Sequence, residues 1–415
     1  MDTKPVGCVL ARTQPETCVQ ARTLHLCLVV VLAGAASPGW AEPPLAVPVD
    51  GGPFRAELDA VDADWRLTFR SDKKRRLLPA ADLVRWGNCA EATRGQILVL
   101  ADGGLLAAEV FDADKETLTA DSDLFSAVKL PLEMLAGVVF HPPAAALPRD
   151  LLLDRAYRAT GQSDLIVLQN GDALAGQVEA IEDDVVKLRA EIGPLEIETD
   201  RIAALVFNPD LKQAPGQQGL RAWAGFEDGS LLRATRLVLD GSSLRITTAG
   251  GRTWQTRPQS LVYLQPLGGQ VTYLGGLKPA GYRHVPFLDL AWPYHPGRNA
   301  VGGRLRSGGR LYPMGIGMHS AARLTYQLDR PYRRFQAKLG IDDSAGGGGS
   351  VRFRVYVDGR QKYTGGTVRG GDSPLPVSVD LEGARRIDLI VDFADRADQQ
   401  DHADWLDARL VHTRE

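Results

Sequence analysis

From residue 54 onward, apolar and polar positions alternate in runs of four to eight. Gly, Pro, Asn or Asp interrupts them every eight to twelve residues. Period two is the mark of a half-buried strand. The clearest stretch is 164–209, DLIVLQNGDALAGQVEAIEDDVVKLRAEIGPLEIETDRIAALVFNP. Leu165 and Val167 enter a turn at Asn170-Gly171-Asp172, and Leu174, Gly176 and Val178 follow it. Glu182-Asp183-Asp184 turns the chain into Val186 and Leu188; Gly193-Pro194 turns it into Leu195 and Ile197; Ile202, Leu205 and Phe207 close the stretch. Short strands joined by tight turns predict a β-meander.

The pattern recurs at 96–142, with a turn at Asp102-Gly103, and in degenerate form at 220–266, with a turn at Asp228-Gly229. A partial copy opens the series within 54–142, at Phe54 to Gly87. From turn glycine to closing aromatic the spacing is 37 residues (Gly103 to Phe140), 36 (Gly171 to Phe207) and 34 (Gly229 to Tyr263). Near-constant spacing is the signature of repeated units. Their length and turn placement resemble Sm-like barrels; generic five-stranded meanders packed side by side fit equally. Leu151, Leu152, Leu153 and Tyr157 predict a short connecting helix over 149–160. Lys73-Lys74-Arg75-Arg76 reads as a solvated hairpin turn, because no aromatic platform accompanies it.

In the last third, period two predicts strands at 322–328, 334–340, 351–357, 376–381, 386–393 and 405–411. Antiparallel strands of this number bury their apolar faces as a sandwich or jelly roll. The chain is therefore expected to be all-β: tandem small β-meander units, then a jelly roll over 285–415. Four blocks then become specific: YPMGIGMHS (312–320), LGIDD (339–343), GSVRFRVYVDG (349–359) and DHADWLDARL (401–410). In this order they resemble the NPCBM carbohydrate-binding-module family. That resemblance implies a galactose-binding-like jelly roll that binds a glycan without catalysis. It does not extend over 42–284.

Aspartates recur at every third position: Asp392, Asp395, Asp398, Asp401, Asp404 and Asp407. Closely spaced loop carboxylates suit a hard cation. Galactose-binding-like folds often hold Ca²⁺, so the expected ligands are drawn from Asp395, Asp398, Asp401 and Asp404. Asp342 and Asp343 could contribute; the alternative is an acidic loop capping turn amides. His319 and His402 are expected to bond neighbouring aspartates and lock loops together, and Trp405 to pack inward. Sugar recognition needs aromatics against a pyranose face and polar groups on its hydroxyls. The candidates are Trp292, Tyr294, Tyr312, Tyr363 and Arg369, all placed in or beside loops.

Gly346 to Ser350 lacks the Lys and following helix of a phosphate loop. No His-Glu-x-x-His, Gly-x-Ser-x-Gly or Cys-x-x-Cys occurs. A net charge of −3 gives no general pull toward nucleic acid. Arg12 and Arg22 before the apolar run 24–36, then small residues up to Ala41, read as an export signal over 1–41. Residues 42–53, rich in Pro and Gly, read as a linker. Of four cysteines only Cys89 follows the expected cut, which leaves no intrachain disulfide. The expectation is a non-enzymatic protein, secreted or in the periplasm or cell envelope, that binds an extracellular or cell-envelope glycan. It would contact membrane only if the signal stays uncleaved. The alternatives are an envelope scaffold that binds proteins, and a hydrolase with its site in 54–265, where His141 is the only histidine.

Overall fold

The computed structural model describes residues 42–71, 74–213, 216, 218–286 and 290–413. The expected export segment, with Cys8, Cys18 and Cys27, lies outside them, as does Lys73 of the basic cluster. Residues 42–415 form one compact unit. Its described part is mostly antiparallel β-structure with one α-helix.

Residues 45–267 form four successive runs of strands, each ending in a 3₁₀ turn and one last strand. The third run is Asp164–Leu168, Ala173–Glu182, Val185–Ala190, Gly193–Glu198, the turn Thr199–Arg201 and Ile202–Val206. Extended residues with buried alternate positions, such as Val186 and Leu188, make the meander. The final strand then returns beside the first, pairing Leu205 with Ile166. The other runs close likewise, through Trp86 with Ala46, Leu98 with Val138, and Leu264 with Ala224. Proline precedes or opens the 3₁₀ turn in three of them, at Pro79, Pro131 and Pro258, where the missing N–H costs nothing.

Closing strands also pair across runs: Val138 with Leu205 and Leu264 with Trp86. The second run therefore sits on the third and the first on the fourth. Leu231 opposite Leu105 joins the two pairs, so all 22 strands share one network with a large common core and two smaller apolar clusters beside it. The helix Ala146–Arg158 packs Leu153 and Ala156 on this sheet. It starts three residues before the expected 149–160 segment.

Two sheets of the last third face each other. One runs His295–Pro296, Gly315–Met318, Ala403–His412, Tyr332–Ile341, Leu375–Asp380; the other runs Gly281–His284, Ala322–Gln327, Arg386–Phe393, Ser350–Val357, Arg360–Arg369. Trp405, Phe335 and Leu339 from the first meet Phe353, Val355 and Leu389 from the second. The Trp405 ring meets Phe353 edge-on, with centroids 5.0 Å apart.

Three sequence expectations are corrected. Residues 42–53 are not a free linker: Leu45–Pro48 pairs with Phe54–Arg55 and Leu83–Gly87. Flanking prolines hide the short alternation there. The sandwich recruits strands ahead of residue 285, namely Val271–Tyr273 and Gly281–His284, which are too short to show a period. Arg360–Arg369 is a strand rather than a loop; Gly365-Gly366 interrupts its pattern.

Buried charges join the sandwich to the strand runs. Asp150 of the helix is fully buried and accepts from Arg304 N (2.8 Å), Arg304 Nε (2.7 Å) and Arg306 Nη2 (3.0 Å). Glu91 binds Arg306 Nε (2.7 Å), Arg304 (3.0 Å) and Arg149 (2.8 Å). Arg85 and Asp407 form a second buried pair at 3.2 Å, and Gln265 donates to the same Asp407.

Candidate functional site

The sheet registers bring several strand ends together. Met318, Ala403 and Ile341 share one row in the first sheet, and His284, Ala322 and Val391 share one in the second. The connections leaving these rows form one end of the sandwich.

Trp292 anchors that end. Its carbonyl accepts from the Tyr282 hydroxyl (2.7 Å), and its N–H donates to His284 Nδ1 (3.3 Å). Its indole lies flat on the His319 imidazole, with centroids 4.4 Å apart and planes 7° apart. His402 stands 6.2 Å from both rings, and His284 meets His319 edge-on at 6.1 Å. His402 Nδ1 pairs with the Ser344 hydroxyl at 3.1 Å. The Gly346-to-Ser350 stretch has a steric role here. A Cβ on Gly348 would fall 1.7 Å from Gln400 Oε1, and one on Gly349 would fall 2.2 Å from the Gln400 carbonyl. Glycine thus lets the 395–402 connection close down beside the histidines.

Burial, reinforced by the His402 charge, pushes His319 down to about 4. Burial also lowers His284 and His402. All three imidazoles are neutral at pH 7, each with one donor and one acceptor. Such a set suits hydroxyls better than an anion.

The aspartates do not gather. Asp395 is exposed and paired with Arg369 at 2.7 Å. Asp398 is partly exposed near the histidines, and its charge opposes the fall of the His319 and His284 values. Asp401 is buried and accepts from Ser350 N at 2.8 Å; burial raises it to about 6. Asp404 is fully buried, and desolvation together with neighbouring Asp342 pushes its carboxyl well above the usual carboxylate range. Asp342 accepts from Asn299 Nδ2 (2.8 Å), Arg306 N (2.8 Å) and Ser344 N (2.9 Å). Asp343 accepts from Gly308 N (3.0 Å) and Gly309 N (2.9 Å). Among the described residues no three His, Cys, Asp or Glu side chains are grouped to hold a metal. The residues expected for Ca²⁺ do not fit one as they stand.

Of the expected sugar-contacting residues, only Trp292 belongs to this histidine cluster. Tyr294 packs beside Tyr282 against the core. Tyr312, expected at a loop, ends the strand Arg310–Tyr312 and is buried. Tyr363 and Arg369 lie on the strand Arg360–Arg369, because its two glycines do not break the pairing. Trp405 is fully buried. His319 engages Trp292 by stacking rather than an aspartate by hydrogen bond, and His402 engages a serine. Sequence reasoning missed His284, whose contact with Trp292 is spatial and carries no local motif.

Trp292, His284, His319 and His402 thus gather at one end of the sandwich. Residues 287–411 match the NPCBM/NEW2 domain, and the chain carries that domain there. A stretch of 107 residues is 34% identical to alpha-1,3-galactosidase B of Akkermansia muciniphila, covering 25% of this chain and 13% of that protein. A second curated relative, from Renibacterium salmoninarum, is 33% identical over 107 residues, covering 26% of this chain and 7% of that protein. The chain thus spans a small fraction of the curated relatives it matches. Similar solved structures include the CBM51 of Clostridium perfringens GH95 in complex with methyl-galactose. It is 23% identical over 34% of this chain and 99% of that one, with a TM-score of 0.31. CBM51-2 with INT domains of Clostridium perfringens ZmpB, in complex with GlcNAc, is 22% identical over 53% of this chain and 44% of that one, also with a TM-score of 0.31.

Proposed function

We propose that this protein is an exported, non-catalytic carbohydrate binder of the cell envelope or its surroundings. It would take a neutral sugar at the loop end of its NPCBM/NEW2 domain. The observation that carries this reading is the stacked Trp292–His319 pair, flanked by His284 and His402 with all three imidazoles neutral. The exposed part of Trp292 supplies apolar surface for a pyranose face, and the imidazoles and Asp398 supply partners for hydroxyls. Galactose-configured sugars come first as ligand class, because the curated Akkermansia relative is named a galactosidase. Binding without catalysis is supported by the carboxyls raised in the strand runs. Asp102 and Asp228 accept from Gly104 N and Ser230 N within their own turns, and Asp164 accepts from Val178 N and Asn208 N, so each is engaged by main-chain amides. The Cys89 thiol, pushed up to about 12 by burial, is unsuited to nucleophilic attack.

The return of each closing strand to its first also favours reading the four runs as small closed β-units that hold the module. Calorimetric titration with methyl-galactoside, then with a panel of neutral sugars, tests the binding reading. Binding that weakens at least about tenfold in Trp292→Ala supports it, the loss expected of a stacked aromatic anchor. No binding to any neutral sugar, or binding indifferent to Trp292→Ala, would sink it and favour the scaffold alternative.

A further inference from the structure

A cleft of about 660 Å³ lies between the helix, the fourth strand run and the sandwich. Five arginines line it, Arg158, Arg221, Arg233, Arg298 and Arg304, and no Asp or Glu does among the described residues. Three of the five are neutralised from behind. Arg158 and Arg298 share Asp154 at 2.9 and 2.8 Å, and Arg304 binds Asp150 and Glu91. Arg221 and Arg233 form no ion pair with any described residue. Arg221 Nη1 donates to the Gly219 carbonyl at 3.0 Å, but the Nε atoms of both arginines are buried without a hydrogen-bond partner. Asp102, whose carboxyl feels the Arg233 charge, bonds Gly104 N instead.

The sequence places these two cations deliberately close. Arg221 and Trp223 are two apart on one strand face, and Arg233 is the cross-strand partner of Trp223. The Arg233 guanidinium sits 4.5 Å over the Trp223 ring, which fixes its plane. Burial, with the Arg233 charge added to it, lowers Arg221, so the two cations repel each other. Tyr157, Leu267 and Met314 give the cleft apolar wall, and its volume suits a small ligand.

We infer that this cleft is a second binding site, specific for a sugar acid of the hexuronate type, with its carboxylate taken between Arg221 and Arg233. Guanidinium forks match a planar carboxylate, and the apolar wall receives the C–H face of the ring. The site is independent of the loop-end histidines, which are built for neutral sugars, so failure at either leaves the other standing.

The test is titration of the purified protein with glucuronate, its methyl ester, glucose and inorganic sulfate. Glucuronate should bind about tenfold or more tightly than the ester or glucose, the discrimination expected of a hydrogen bond to a charged group. Arg233→Gln and Arg221→Gln should remove that preference while leaving galactoside binding at the loop end unchanged. Comparing acid with ester on the unaltered protein keeps the test valid if either variant packs poorly. Glucuronate binding no tighter than its ester would overturn the inference. Sulfate binding as tightly as glucuronate would overturn the sugar assignment.

Discussion

Replacing Asp150 by Ala should weaken the attachment of the sandwich to the strand runs. The carboxylate is fully buried and holds Arg304 and Arg306, which Glu91 also binds. Burial alone would raise both acids. The Arg306 hydrogen bonds and the Arg304 and Arg306 charges outweigh it and hold Asp150 and Glu91 each at about 2. Removing Asp150 leaves Glu91 as the one carboxylate against the Arg149, Arg304 and Arg306 charges, and breaking such a buried network costs about 3–5 kcal/mol. For a unit of this size that corresponds to a fall in Tm of about 4–6 °C. Differential scanning calorimetry reads it, and the separation of one transition into two would mark uncoupling of the sandwich. The same carboxylates set an acid limit. Their folded pKa values lie below the unfolded ones, so their stabilisation is complete above about 4.5 and is lost as pH falls toward about 2. Asp150→Ala should flatten part of that slope. A variant melting within about 1 °C of the unaltered protein, with the same acid profile, would refute the reasoning.

Two further outcomes follow from the same kind of argument. His319, at about 4 when folded, loses stabilisation as pH falls from about 6.5 to about 4, whereas Asp401, at about 6, loses its own as pH rises from about 3.8 through 6. The two contributions are each on the order of 3 kcal/mol and oppose each other over pH 4–6. Urea titrations of Asp401→Asn should therefore expose a fall in stability on acidification that the unaltered protein masks; identical pH profiles would contradict this. Gly229 and Gly171 occupy corresponding turns, both left-handed (φ +88° and +93°), but only at Gly229 would a Cβ meet backbone, 1.8 Å from Ala92 N. Gly171→Ala should cost about 1–2 kcal/mol and Gly229→Ala distinctly more, read from urea midpoints. Equal costs would show that the contact with Ala92 yields freely.

Much of the architecture is legible in the alternation of residues such as Val186 and Leu188, because a sheet with one buried face forces period two. Leu45–Pro48 and Arg360–Arg369 escape because prolines at the ends of one and paired glycines within the other break the alternation without breaking the pairing. The coupling of distant runs, as in Leu264 opposite Trp86, has no local signature, since register between remote strands is decided by packing. The candidate site is legible only in part. Trp292, His319 and His402 stand out singly, but nothing in their spacing of 27 and 83 residues announces a stack. The aspartate period of three does not translate into proximity: Asp395 pairs with Arg369, Asp401 accepts from Ser350 N, and Asp404 lies buried beside Asp342.

The most direct test of the loop-end site is NMR titration of the imidazole and indole signals with methyl-galactoside at pH 7. The account predicts shifts concentrated on Trp292, His284, His319 and His402, with the histidines staying neutral in the complex. Sugar binding that moves other residues and leaves these four unshifted would contradict it.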